Sequence, residues 1–290
     1  MQFVVNGIIT GSIYALVGIS FALIYVPTKF FHFTHGAIFA SGAYVCYACH
    51  VFLKLPLWTA ILLALGASAL GGFGLELYVF RALRRRGATH LVLLLASLGF
   101  YIALQNTTSL IFGDETRSLR SLEAAQNIVV WGAHITQIQL GIILAAIALS
   151  SSIWVTMKFT RFGKALRAVA GDPKLAEVCG INVDQMILLA FAIGSAVAGV
   201  SAILVALEIG VTPTMGLTAL MGGIVAMIIG GVTSIPATLL GGLLLGLAQH
   251  LGVWKIGSQW QDAIAFLILA VFLLVRPQGF FGKPHKMAAI

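Results

Sequence analysis

LWTAILLALGASALGGFGLELYVF, from Leu57 to Phe80, is a continuous apolar run interrupted by a single charged residue, Glu76. At about 1.5 Å per residue, a helix of that length crosses the roughly 30 Å hydrocarbon core of a bilayer. It lacks the alternation over about ten residues that a barrel strand carries. Ala263 to Val275 has the same character. In hydrocarbon only helices and closed barrels satisfy every backbone group, so these runs read as helices. The whole chain agrees: its 290 residues are 60% hydrophobic and 9% charged, with a mean hydropathy of +1.03. Soluble domains carry roughly 25% charged residues, so this chain has too little charge to cover a surface facing water. The expected fold is all-α, a polytopic transmembrane helical bundle forming one domain over residues 1–290.

Nine apolar stretches read as spans, at approximately 3–26, 33–53, 57–80, 88–112, 138–157, 185–207, 217–232, 236–252 and 262–275. Eight crossings result if one short late segment is re-entrant, because 217–252 contains Pro236 and many glycines. Met1 to Asn6 has neither a basic region nor a small-residue cleavage pattern, and is read as the first span. Alternating crossings place Lys29, Arg81, Arg84, Arg85, Arg86, Lys158, Arg161, Lys164, Arg167, Lys174, Arg276, Lys283 and Lys286 on one side. Only Lys54, Arg117, Arg120 and Lys255 fall on the other, a division of 13 against 4 among 17 basic residues. The positive-inside rule then puts the C-terminus in the cytoplasm and the N-terminus outside. The same segregation accounts for the net charge of +8 without a nucleic-acid partner. Trp58, Trp131, Trp254 and Trp260 fall near the outer boundary and Trp154 near the inner one, as in an aromatic belt.

Two polar segments interrupt the spans. One, 113–137, is expected outside. The other, 158–184, is expected inside and carries Arg161, Gly163, Arg167, Ala176 and Glu177. Within it Asp172 suits a helix N-cap, Pro173 the first helical position and Gly180 the stop, which predicts about two turns of helix before Asn182. On the residues alone this is either a connector held by anionic membrane lipid or a docking helix gripped by a soluble partner. Small residues also recur at four-residue spacing, as in Gly7 and Gly11 and in Gly242 and Gly246, which lets helix backbones approach closely.

Polar or helix-breaking groups at membrane depth mark the candidate solute path: Thr34, His35 and Gly36 after Pro27, Gln105 beside Asn106, Pro213 and Gly216 after Glu208, and Ser234 before Pro236. Broken helices expose free N–H and C=O groups that transporters use for polar solutes, although Pro and Gly also simply kink packed helices. Glu76 reads as a structural partner of Arg81 one turn on, with proton relay as the lesser reading; Glu208 at a helix end reads as facing water. Cys46-Tyr47-Ala48-Cys49-His50 matches C-x-x-C-H, but it lies inside an apolar helix, so packed free cysteines are favoured over haem. His32 and His35 lack companions for a metal site, and none is expected. Gly163-Lys164 and Gly282-Lys283 are not followed by Ser or Thr, so this chain has no phosphate-binding loop of the G-x-x-x-x-G-K-[ST] type. No nucleophile–base constellation is present, and the chain is not expected to be an enzyme.

Several of these stretches, taken in order, resemble the LivH-type permeases of bacterial branched-chain amino acid ABC importers. They are Gly7–Phe21 (GIITGSIYALVGISF), Phe31–Gly36 (FHFTHG), Leu95–Gln105 (LASLGFYIALQ), Thr160–Asn182, Thr212–Gly216, Gly230–Gly242 (GGVTSIPATLLGG) and Arg276–Gly282 (RPQGFFG). Departures occur at Ala82 and around Thr218–Gly223. The resemblance implies a multi-pass protein of the bacterial inner membrane paired with a second homologous permease subunit. It also implies two cytoplasmic ATPase subunits, which bind the ATP and Mg, and a periplasmic substrate-binding protein; no cofactor is implied in this chain. It makes Asp172–Gly180 the segment that couples to the ATPases, and it places His35 and Gly36 near the solute path. Relatives of this family carry branched-chain amino acids, urea, short amides or aromatic acids. A secondary transporter or channel driven through Glu76 or Glu208 is the alternative from another class.

Overall fold

The computed structural model describes residues 1–119, 127–130, 133–232, 234–276 and 279–280. Of the residues named above, Arg120, Trp131, Thr233, Gly282, Lys283 and Lys286 lie outside them. The helices are α1 (Gln2–Thr28), α2 (Thr34–Tyr47), α3 (Leu57–Leu75), α4 (Arg81–Arg85), α5 (His90–Phe112), α6 (Gln137–Phe159), α7 (Arg161–Gly171), α8 (Pro173–Val178), α9 (Val183–Ile209), α10 (Met215–Gly230), α11 (Ile235–Ile256) and α12 (Gln261–Val275). Wider π turns extend α2 over Ala48–Phe52 and join α3 to α4 over Glu76–Phe80. Seven segments are long and apolar enough to cross a membrane. The other two expected spans are the shorter helices α2 and α10, each entered through a non-helical connector. The all-α bundle expected from the sequence is what forms, with one short antiparallel strand pair, β1 (Asn127–Val130) and β2 (Ala133–Thr136), beside it. The pair lies in the polar segment, where water can serve the edges that hydrocarbon forbids.

The bundle is built around α1. Its apolar window is 78% buried, against 6% for the segment Ser258–Val275. Small residues make that central position possible. A Cβ added to Gly11 would stand 2.8 Å from the Gly242 carbonyl oxygen, and Gly7 packs in the same way on Gly246 and Leu247. The two glycine pairs visible in the sequence are therefore the two halves of one antiparallel α1–α11 interface. At such contact dispersion acts between backbones, and lipid offers no competing hydrophobic drive.

Helices α1 and α9 run antiparallel: Val17 packs with Ala198 and Ala202, and Ile24 with Ile187 and Phe191. Each has 27 residues. Each is followed by a five-residue connector, 29–33 or 210–214, and then by a short buried helix, α2 or α10. Shifting the first unit by 181 positions, from Gln2 to Val183, superposes Gly18 on Gly199, Ser20 on Ser201 and Gly42 on Gly223. The contacts repeat as well. Gly42 packs on the Cα of Gly199 (3.2 Å from an added Cβ), and its counterpart Gly223 packs on the amide of Gly18 (2.8 Å). Two units of opposite direction thus meet about a common centre, an arrangement known from transporters.

Glu76 is fully buried and pairs bidentately with Arg84, one of the two bonds measuring 3.0 Å. It does not pair with Arg81. Arg81 instead reaches Asp184 of α9 at 2.8 Å, an acceptor it shares with Arg85 at 2.9 Å. At the other end, Arg117 exchanges both backbone bonds with Val211, at 2.9 and 2.7 Å, and Gln2 does the same with His134 through its side chain. The polar segment is thereby tied to the 210–214 connector and to the start of α1. Gly11→Leu is expected to lower the thermal midpoint of the detergent-solubilised protein, with an overpacking cost of roughly 1–3 kcal/mol. Gly74→Leu, whose added Cβ meets nothing within 4 Å, should leave the midpoint unchanged.

Candidate functional site

Pro27 lies in the last turn of α1, and Lys29 takes a left-handed conformation (φ 57°), so the helix stops there. The chain re-enters through Phe30–Phe33 and restarts at Thr34. Serines on neighbouring helices hold this connector. Ser97 of α5 accepts a bond from the Phe33 amide at 3.1 Å, and its carbonyl accepts one from the Thr34 hydroxyl at 2.7 Å. Ser20 of α1 donates to the Val17 carbonyl at 2.8 Å and lies 2.9 Å from Nε2 of His35. The Ser20 hydroxyl thus bridges the α1 backbone and the His35 ring. His32 and His35 are both fully buried, their ring centroids 6.2 Å apart, with Phe80 and Phe191 against His32 and Phe21 against His35. Ser20 and Ser97 were not singled out in the sequence; the available signal was a small hydroxyl within an apolar helix beside a break.

Gly36 and Gly216 bring the first turns of α2 and α10 into contact. A Cβ on Gly36 would stand 2.9 Å from the Gly216 carbonyl oxygen, and one on Gly216 would overlap the Gly36 carbonyl. Neither helix start has a side-chain cap. Two half-length helices thus present their partly positive ends within the bundle. Pro213 is buried in the connector leading to this junction. Gln105 does not join it: it is half-buried two turns beyond Ser97 on α5, and Asn106 bonds the Ile102 carbonyl of its own helix at 2.8 Å. Ser234 belongs elsewhere again, lining a cavity of about 250 Å³ with Lys158 and Arg167 at the basic end. The structure therefore gathers Thr34, His35, Gly36, Pro213 and Gly216 and separates Gln105 and Ser234 from them. Cys46 and Cys49 are buried within the apolar cluster around Tyr44 and Tyr47.

The basic end carries the second feature. The Thr160 hydroxyl caps α7 by accepting from the Gly163 amide at 3.2 Å. Gly163 packs on the Met157 backbone, and Arg167 bonds the Met157 carbonyl. Leu166 and Val169 are buried, while Arg161, Lys164 and Arg167 are exposed, so α7 lies against the bundle with a basic outer face. Asp172 then accepts from the amides of Lys174 and Leu175 at 2.9 and 3.1 Å, with Pro173 opening α8. Gly180 turns the chain at φ +80°, and Asn182 caps α9 through the Gln185 amide at 3.0 Å. Of α8 only Ala176 is buried; Leu175 is 61% exposed and Val178 84%. A short helix, capped at both ends, thus holds two aliphatic side chains and Glu177 away from the bundle.

The family described as branched-chain amino acid transport system / permease component matches residues 3–275. The high-affinity branched-chain amino acid transport system permease protein BraD of Pseudomonas aeruginosa is 33% identical over 98% of this chain and 96% of its own length. The corresponding protein LivH of Escherichia coli is 32% identical over the same shares. Among solved structures, PsaBC from Streptococcus pneumoniae in complex with Fab covers 97% of this chain and 94% of its own, with a TM-score of 0.51 and 14% identity, a likeness of fold alone. From the site geometry, Ser97→Ala leaves the part-buried Phe33 amide without its acceptor, at a cost of about 1 kcal/mol. Amide hydrogen exchange over residues 30–36 should accelerate accordingly, with α12 unaffected.

Proposed function

We propose that this chain, which belongs to the branched-chain amino acid transport system permease family, is the subunit through which an ABC importer passes branched-chain amino acids across the bacterial inner membrane. It works with a second homologous permease, two cytoplasmic ATPases that hold ATP and Mg, and a periplasmic binding protein. The basic end faces the cytoplasm, with the C-terminus inside and the N-terminus outside. The observation that carries the coupling role is α8. Leu175 and Val178 stand exposed on a helix fixed by Asp172 and Gly180, and α7 links them rigidly to the end of α6. An ATPase that grips this helix moves α6 and α9 together. The junction of α2 and α10 at Gly36 and Gly216 lies where such a movement alters the centre of the bundle.

A carrier driven through Glu76 is disfavoured by geometry: that carboxylate is sealed against Arg84 with no exposure, and removing either partner would strand a buried charge. In cells lacking the gene, restoring it should restore uptake of labelled leucine. Restored uptake of urea alone would move the reading to the urea and amide branch of relatives. Gly180→Val forces a β-branched residue into a left-handed conformation, costing roughly 1–2 kcal/mol at the turn that aims α8. It is expected to abolish uptake while leaving leucine affinity of the binding protein unchanged. Wild-type uptake in that variant would remove the coupling role from this segment.

A further inference from the structure

At the end of the bundle where α1 begins, a cavity of about 560 Å³ opens between α1, α6, α9 and the start of α10. Its polar wall centres on Glu208 in the last turn of α9. One carboxylate oxygen accepts from Nε2 of Gln139 at 2.7 Å. The other is buried and has no hydrogen-bond partner among the described residues. The ion pairs among the described residues all lie at the opposite end, and none includes Glu208. Glu208 is half-buried at the end of α9, and its shielded, unpartnered oxygen offers an acceptor to a cationic group. The start of α10 supplies the complementary charge. Thr214 and Met215, where the 16-residue α10 starts without a side-chain cap, line the same cavity and bring to it the positive end of a helix dipole. Ile9, Ile13 and Val205 give the cavity an aliphatic part, while Asn6, Thr212 and Thr218 add polar groups to its lining. Thr10 and His250, 2.9 Å apart, close one side with their own hydrogen bond and so leave the carboxylate to an incoming group.

We propose that this cavity is a binding subsite for a free α-amino acid with an aliphatic side chain. The ligand's ammonium sits on Glu208, its carboxylate faces the first turn of α10, and its side chain lies against Ile9, Ile13 and Val205. The volume lies within the range of ordinary small-molecule sites and leaves room for water beside the ligand. The proposal rests on the importer reading and deepens it: the permease itself recognises the zwitterion and excludes neutral solutes such as urea.

The test is direct binding to the full-length chain in lipid nanodiscs, without its partners. The probes are L-leucine, 4-methylpentanoate, which lacks the ammonium, and isopentylamine, which lacks the carboxylate. Wild-type protein should bind leucine and hold each analogue about tenfold more weakly or worse, the size of one lost charge-assisted contact. Glu208→Gln should weaken leucine to the level of 4-methylpentanoate, and Glu208→Asp should restore part of the difference. Thermal midpoints of all three proteins report whether they are folded. Equal leucine binding by Glu208→Gln, absence of leucine binding by the wild type, or equal binding of all three probes would each overturn the subsite. The importer reading stands or falls separately on cellular leucine uptake, which does not depend on this site being measurable.

Discussion

The close approach of α1 to α11, glycine backbone on glycine backbone, is the constraint from which the rest of the structure follows. With Gly7 and Gly11 seated on Gly246 and Gly242, α1 is clamped at the centre. Its remaining faces are left for α9 and α10, both of which depend on small residues at the crossing points. In lipid a side chain gains nothing by leaving the solvent, so stability has to come from contacts of this kind and from bonds that hydrocarbon cannot replace. Where the chain leaves the helical state at membrane depth, those bonds are supplied one by one. Ser97 holds the connector after α1, and the Arg117–Val211 backbone pair holds the connector after α9.

A clamped centre gives the exposed elements their meaning. The outer helices α5, α6 and α12 are little buried, and their apolar faces suit lipid or a neighbouring subunit. The elements that reach beyond the bundle at the basic end are α7 and α8, fastened to it by Arg167 and Ala176 and capped so that their direction is fixed. They join two long helices, α6 and α9. Both border the outer cavity through Gln139 and Glu208, whose side chains are bonded to each other. The same two helices therefore connect α7 and α8 at the basic end to the polar pocket at the far end.

Much of this was legible in the sequence because it was local. Asp172, Pro173 and Gly180 occupy the cap positions that their chemistry favours, since capping needs only neighbouring backbone groups. The apolar runs became helices near their expected limits because length and solvent settle that question. What was illegible depended on distant or geometric facts. Glu76 pairs with Arg84 rather than Arg81, because Arg81 is taken by Asp184 on α9, a partner 103 positions away. Gln105 and Ser234 share the polarity of Thr34 and His35 but not their location, and no residue type distinguishes them. The inverted relation of α1–α2 to α9–α10 survives in only a few identities, such as Ser20 with Ser201, and it emerged from antiparallel packing. Glu208, expected to face water, is held by Gln139, a partner 69 positions away.

The central claim, that this chain moves its solute only when ATPases act on it, is tested most directly in proteoliposomes. Labelled leucine accumulation would be compared for the full assembly with binding protein and ATP, and for the chain alone under an imposed proton gradient. The account predicts concentrative uptake in the first case and none in the second. Concentrative uptake by the chain alone would contradict it and would make this protein a self-sufficient carrier.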